Sequence, residues 1–370
     1  MKLGYFTLSD NPPFYAAKRR DANQFLKDIL AECLAAEELG FNAVWVPEHH
    51  FGLFGCLPSP TTFLGYVAAR TRRVQLGAAT VVLPCSHPLR VAEEWALLDL
   101  LSDGRAVFSA GRGYDAREYA AFEIPFEESR GRFDEELLIV TRAWTTPDFT
   151  FDGQYHHIRE PVTVLPRPTQ QPHPPVVVAC FSEPTMEMAA RNGFDIIFAP
   201  FAAAMMFGSL EEAAAKFRRL ATEAGYPNSK VKCSYFMAMA DTDELQLAAR
   251  ERLLYYLHGV LPALPGDPTK VPPHIAYFAD IAKRIEAMAP NQLRERSIVT
   301  GPPDQCVEHL KSIEAAGIDE VICYFNFGGL PHAATLAQME RFAREVLPSF
   351  DSISQTSQQE DMVRPAPRSS

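Results

Sequence analysis

The side chains able to do chemistry gather where short apolar runs end. In "VWVPEHHF", residues 44–51, Val44, Trp45 and Val46 give way at once to Glu48, His49 and His50. An acid beside two adjacent histidines fits an ordinary polar loop, a metal site or an acid–base site. Side chains of an extended chain alternate, so Glu48 and His50 point one way and His49 the other. Neither His-x-His on a strand nor His-x-x-x-His on a helix is present, so no metal is expected. Histidine titrates in the range useful for proton transfer.

A second group is "AGRGYDA", residues 110–116, which spells G-x-G-x-x-A through Gly111, Gly113 and Ala116. A dinucleotide fingerprint needs an acid about 20 residues on, at the tip of the next strand. Here that distance falls near Asp134 to Glu136, inside a helical pattern, and the dinucleotide reading fails. Two glycines that let backbone approach a ligand, with Arg112 as a phosphate partner, explain the stretch more economically. The bland alternative is a solvated loop arginine. In "CFSEPTMEMAARNG", residues 180–193, Ser182 suits an N-cap, Pro184 the first helical turn and Gly193 the far end. Hydroxyls at Ser182 and Thr185 on a helix N-terminus favour an anion, although N-caps without ligands are as common. In "LGAATVVLPCSHP", residues 76–88, Gly77, Ala78 and Ala79 lack bulk, which permits a flat ring to lie against backbone. His87 reads as a cap or rim residue. The nucleophile-elbow and kinase signatures are absent.

These groups need a scaffold that brings strand ends together. Strand patterns at "KLGYFTL", 43–46, "VQLGAATVVL", "RAVFSAG", "PPVVVAC", "FDIIFAP", "VKCSYFMAMA" and "EVICYFNF" alternate with helical patterns. The helices are expected at 22–39, 60–70, 88–101, 132–145, 184–192, 210–224, 303–316 and 333–347. Near-continuous apolar strands separated by helices imply a parallel sheet, and eight such units imply an α/β fold closed as a TIM barrel. In such a barrel function sits at the C-terminal strand ends, where Glu48, Arg112 and Ser182 all fall. Two insertions break the repeat: a hairpin at 149–158 turning at Asp152-Gly153, and a Pro-rich stretch at 255–297, helical at 275–289, placed as a lid after strand seven. Phe54, Tyr255, Tyr256 and Phe278 could wall an apolar pocket or belong to the core. Residues 1–350 read as one domain and 351–370 as a disordered tail.

At 370 residues with 47% hydrophobic and 22% charged content, the chain can bury a large core. A net charge of −11 argues against nucleic acid as a partner. No run of about 18 apolar residues suggests a membrane span. The N-terminus lacks a signal-peptide pattern and seven cysteines are scattered without C-x-x-C, which suits a cytoplasmic enzyme.

Taken in order, "EELGFNAVWVPEHHF", "LGAATVVLPCSHPLRVAEEWALLDLLSDGRAVFSAGRGY", "ESRGRFDEELLIVTRAW" and "GPPDQCVEHLKSIEAAGIDEVICYF" closely resemble the bacterial luciferase-like flavin monooxygenases. The resemblance runs from residue 1 to about 348, leaving out the 255–297 insertion and the tail. It implies a barrel that takes reduced FMN as co-substrate from a separate flavin reductase. Dioxygen then gives a peroxyflavin that oxygenates a small or carrier-bound molecule, with a role in natural-product biosynthesis. By position, His49 matches the catalytic histidine, and Glu48 and His50 its orienting neighbours. Ala78 and Ala79 match the residues flanking a non-prolyl cis peptide under the flavin, and Arg112 the phosphate-binding arginine. Phe6, Tyr114, Phe181, Ser182 and Thr185 complete the expected cofactor contacts. Gly111 stands where the light-emitting enzymes carry a reactive cysteine, which argues against luminescence. Pairing through the early helices implies a homodimer. A deazaflavin-dependent hydride-transfer enzyme of the same superfamily is the alternative, followed by a non-catalytic flavin-binding protein.

Overall fold

The protein is described by a computed structural model covering residues 1–52, 54–199, 203, 206–264, 277–293 and 297–351, with backbone only at 277, 278 and 280. Its strands are β1 (Lys2–Phe6), β2 (Ala43–Val46), β3 (Gln75–Ala78), β4 (Val81–Val82), β5 (Ala106–Gly111), β6 (Phe149–Asp152), β7 (His157–Val162), β8 (Val176–Ala179), β9 (Asp195–Phe198), β10 (Val231–Met239), β11 (Ile298–Gly301) and β12 (Glu320–Tyr324). Parallel pairing runs β1–β2–β3–β5–β8–β9–β10–β12 and returns to β1. The expected eight-stranded barrel is therefore closed.

The helices are α1 (Ala22–Leu39), α2 (Pro60–Arg70), α3 (Pro88–Leu101), α4 (Ala116–Ala121), α5 (Ser129–Thr145), α6 (Glu183–Arg191), α7 (Leu210–Glu223), α8 (Asp243–Val260), α9 (Tyr277–Glu286), α10 (Pro303–Ala315) and α11 (His332–Glu345). The first helix shows why the sequence folds this way. Asp21 accepts from the Gln24 N–H at its start, and Gly40, at φ 93°, ends it in the left-handed region. Between them Phe25, Ile29, Cys33 and Ala36 recur at helical spacing and are buried against the barrel.

The barrel has two cores. One lies between strands and helices, and the other fills the interior with Phe6, Trp45, Val107, Val177, Ile322 and Tyr324. Trp45 seals the lower end. Its indole fills the space a Cβ would need at Gly77, 2.5 Å away, and its Nε1–H donates to Glu320 at 2.9 Å. Lys232 donates to the other Glu320 oxygen at 2.6 Å, making a buried ion pair.

Several boundaries depart from expectation. The third strand breaks after Ala78 and resumes as β4, which leans on β5 through Val81 and Val82. The hairpin pairs β6 with β7 and reaches Val162, turning over 153–156 instead of at two residues. The fifth helix starts at Ser129, one turn early, behind a 3₁₀ turn at Phe126–Glu128. Residues 243–260 form a full helix, capped by Thr242; it has no counterpart in the sequence pattern at 243–254 and runs six residues into the expected irregular stretch, which begins at 255. Ile298–Gly301 add an unexpected strand, pairing with Phe236–Met239 beyond the point where β10 leaves β12. The lid expectation falls partly on 265–276, and the tail expectation on 352–370; both ranges lie outside the described residues.

Candidate active site

The C-terminal strand ends enclose a cavity of about 660 Å³, a size typical of ligand pockets. Phe6 from β1, Glu48 and His49 after β2, Ala79 after β3, Arg112 and Tyr114 after β5, and Phe181, Ser182 and Thr185 after β8 all line it. Nine of the expected site residues thus meet in one place. Ala78 and His50 do not line it. Ala78 is fully buried in the barrel wall, and His50 stands behind Glu48.

Glu48 and His49 on the wall are each paired with a residue behind it, His50 and Glu118. His50 Nε2 lies 3.2 Å from Glu48 Oε1, and the other Glu48 oxygen accepts the Val82 N–H at 3.2 Å. His49 Nδ1 lies 3.6 Å from Glu118 Oε1, within ion-pair range but too far for a hydrogen bond. That buried nitrogen has no hydrogen-bond partner among the described residues. Glu118 also accepts the His50 N–H at 2.8 Å. Burial pushes the Glu48 carboxyl above its ordinary range, outweighing His50 and the Val82 N–H. Burial opposes ionisation of Glu118 too, but His49, the His50 N–H and the His50 ring together hold it below the ordinary range. Two neighbouring acids are therefore driven apart, Glu48 toward the neutral form and Glu118 toward the carboxylate.

Glu118 is a site residue that sequence reasoning missed. It sits 69 positions from His49 in the short helix α4, whose N-cap Asp115 follows the "GRGY" loop. An acid in the first turn after that loop was the available signal.

Another part of the lining is cationic. Arg112 and Arg130 both face the cavity, and Arg130 Nη1 donates to Thr185 Oγ1 at 2.9 Å while its Nε donates to Asp134 at 2.8 Å. Ser182 does occupy the N-cap position of α6, yet its hydroxyl makes no cap bond. It lies 2.9 Å from Thr185 Oγ1 instead. Two guanidiniums and two hydroxyls make a donor set suited to a phosphate. Arg130, from "ESRGR" in the first turn of α5, is the second residue missed, because the helical pattern read from the sequence starts at 132, just beyond it.

The small residues act differently from expectation. The non-prolyl cis peptide joins Ala79 to Thr80, one residue after the expected Ala78–Ala79 bond. The space beside Gly77 is taken by Trp45, so of the Gly77–Ala79 run only Ala79 offers a surface to a ligand. A Cβ at Gly111 would overlap the Thr80 hydroxyl. Gly113 has φ 73°, and a Cβ there would come within 2.7 Å of Val82. Both glycines are required by the close approach of the β3–β4 connection as much as by any ligand.

The remaining wall is apolar. Phe54, Phe236, Tyr256, Leu257, Val260, Ile281 and Ile285 close it, and Phe54 stacks on His49 with ring centroids 5.3 Å apart. Tyr255 faces away and stacks on Tyr15. The Phe278 side chain lies outside the described residues. His87 takes the N-cap position of α3 without a side-chain cap bond and meets the His156 ring edge-on, away from the cavity. Among the described residues no group of three or more His, Cys, Asp or Glu could hold a metal ion, and no helix is long and apolar enough to cross a membrane.

Comparison with known proteins follows the same lines. A flavin-dependent trigonelline monooxygenase, oxygenase component, of Acinetobacter baylyi is 25% identical over 347 residues, covering 88% of this chain and 90% of that protein. The crystal structure of the monooxygenase RslO1 from Streptomyces bottropensis is similar at TM-score 0.77 and 29% identity, over 95% of this chain and 100% of that one. An F420-dependent secondary alcohol dehydrogenase shares the fold at TM-score 0.73 with 16% identity, covering 95% of this chain and 99% of that one, so the barrel by itself does not select the coenzyme. The family described as luciferase-like monooxygenase matches residues 1–320. The chain belongs to the luciferase-like monooxygenases.

Proposed function

We propose that this enzyme is the oxygenase of a two-component system that takes reduced FMN from a separate reductase and uses dioxygen to oxygenate a small apolar molecule in secondary metabolism. The observation that carries the reading is one cavity lined both by His49, with Glu118 behind it, and by the Arg112–Arg130–Ser182–Thr185 donor set. The donor set fits the phosphate of FMN, and Ala79 offers a small surface on which a flat ring can lie.

When bound, reduced flavin supplies two electrons to dioxygen, so that one oxygen atom enters the substrate and the other leaves as water. The chain's own residues control protons and water around that chemistry. Carboxylate Glu118 favours a proton on His49 Nδ1, which leaves Nε2 as the basic nitrogen. His49 can then accept and return a proton at Nε2 while Phe54 screens its ring face. Glu48, biased toward its neutral form, and His50 hold the strand end in place through Val82. Phe236, Tyr256, Leu257 and Ile285 exclude water and offer no charge, which favours an uncharged apolar substrate.

The test is rapid mixing. Protein loaded anaerobically with reduced FMN is mixed with oxygenated buffer while flavin absorbance is followed. Reoxidation slower than that of free reduced FMN is expected, returning toward the free rate in His49→Ala. Reoxidation at the free rate in the wild type would refute the reading, and binding of reduced F420 in preference to FMN would replace it. We also infer a homodimer. Leu97, Leu100 and Leu101 of α3 and Tyr66 of α2 are 44–60% exposed, an apolar surface that a second copy would cover. Light scattering after gel filtration decides that point.

A further inference from the structure

The hairpin β6–β7 contributes no strand to the barrel, yet its tip is fastened to the helix that carries Arg130. Glu135 on α5 accepts three consecutive N–H groups of the turn, from Gln154 at 2.7 Å, Tyr155 at 3.0 Å and His156 at 2.7 Å. His156 Nε2 lies 2.9 Å from Glu136, and the Arg132 guanidinium stands 4.9 Å over the Tyr155 ring. Arg132 is itself held by Glu128 at 2.8 Å. A further close approach is at Gly131, where a Cβ would lie 2.5 Å from Tyr155 Oη and 2.9 Å from its Cε2. The phenol therefore lies directly on the helix backbone one residue after Arg130.

We propose that the hairpin tip is a brace for the coenzyme's phosphate: Tyr155, seated on Gly131, fixes the first turn of α5 so that Arg130 points into the cavity. The proposal rests on the reading that the Arg112–Arg130 end binds the phosphate of FMN. Arg130 divides its donors between Asp134, four residues along its own helix, and Thr185 on α6. The bond to Thr185 spans two elements and survives only if the first turn of α5 keeps its height and rotation. The Ser129 N–H end of that helix has no side-chain cap, because Glu128 makes no cap bond. Tyr155, Glu135 and Arg132 supply from outside the constraint that a cap would supply from within. Tyr155 does not line the cavity, so it is a positioning residue.

The experiment compares binding of FMN and riboflavin, which differ only in the phosphate, by titration of the wild type, Tyr155→Ala, Gly131→Ala, Arg130→Ala and the Tyr155→Ala/Arg130→Ala double variant. Tyr155→Ala withdraws the brace and Gly131→Ala pushes it off, so one remains informative if the other fails to fold. Each should weaken FMN on the order of tenfold and leave riboflavin unchanged. Tyr155→Phe should keep wild-type affinity, since the ring stays on the backbone. In the Arg130→Ala background, Tyr155→Ala should have no further effect. Equal loss for both ligands, no loss for either, or an undiminished effect without Arg130 would overturn the brace. A wild type that binds riboflavin as tightly as FMN would remove the phosphate site itself, which is a separate failure.

Discussion

Gly111 offers the sharpest test of how the cavity floor is built. A Cβ placed there overlaps the Thr80 hydroxyl, and it reaches 3.3 Å from Thr80 Cβ and 3.7 Å from Ala179 Cβ. The hydroxyl is thus the whole of the conflict, since the 3.3 Å contact needs a shift of only a few tenths of an ångström. Overpacking of this kind costs about 1–3 kcal/mol, which is the expected loss for Gly111→Ala. With Thr80→Ala the obstruction is gone, and most of that loss should be recovered, a coupling of about 1–2 kcal/mol. Urea unfolding reads the four-variant cycle through tryptophan fluorescence, because Trp45, Trp95 and Trp144 are all buried. Thr80 lines the cavity, so Gly111→Ala should also weaken FMN by displacing the hydroxyl into the space for the ring. A loss below about 0.5 kcal/mol, or the same loss with and without Thr80→Ala, would refute the steric account.

Other perturbations bear on the remaining structure. Burial raises Glu136 to about 7 from an ordinary 4.5, so between those values the folded protein holds a proton the unfolded chain has released. Stability therefore falls as pH rises through that window, and Glu136→Gln, free of the effect, should melt above the wild type at pH 8 but not at pH 4.5; parallel melting curves at every pH would contradict this. Glu118 is the opposite case: its depressed value makes its stabilisation complete above 4.5 and lost as pH falls through the folded-state value. Glu118→Gln should accordingly be less stable than the wild type at neutral pH, with the gap closing under acid, and should speed flavin reoxidation. Lys232→Met strands Glu320, which is 1% exposed, without its cation and should cost about 3–5 kcal/mol in denaturant titration. Adding Glu320→Gln, which keeps an acceptor for Trp45, should restore most of it.

The barrel was legible because its strands are buried on both faces and read as unbroken apolar runs, as in Val176–Ala179. The hidden elements have weaker patterns. The four residues of β11 carry one polar Thr300 and end in glycine, and the strand exists because the upper half of β10 offers a free edge. Helix α8 mixes tyrosine, arginine and leucine on every side, since one face meets the barrel and another the rim. In the site, Glu48, His49 and Arg112 announce themselves by abrupt polarity after apolar strands. Glu118 and Arg130 do not, because each matters through a contact made across the chain, to His49 in one case and to Thr185 in the other. The glycines showed where bulk is missing but not whether protein or ligand fills the gap.

The plug made by Trp45, Glu320 and Lys232 has a consequence for traffic. With the lower end sealed, a barrel of this kind works as a well whose guests share the upper mouth. Where one guest lies above another in such a well, the lower can leave only after the upper, and so is detained for as long as its neighbour remains. Its residence time is then set by its neighbour rather than by its own contacts, and a weakly held coenzyme can be retained through one turnover and surrendered at the next.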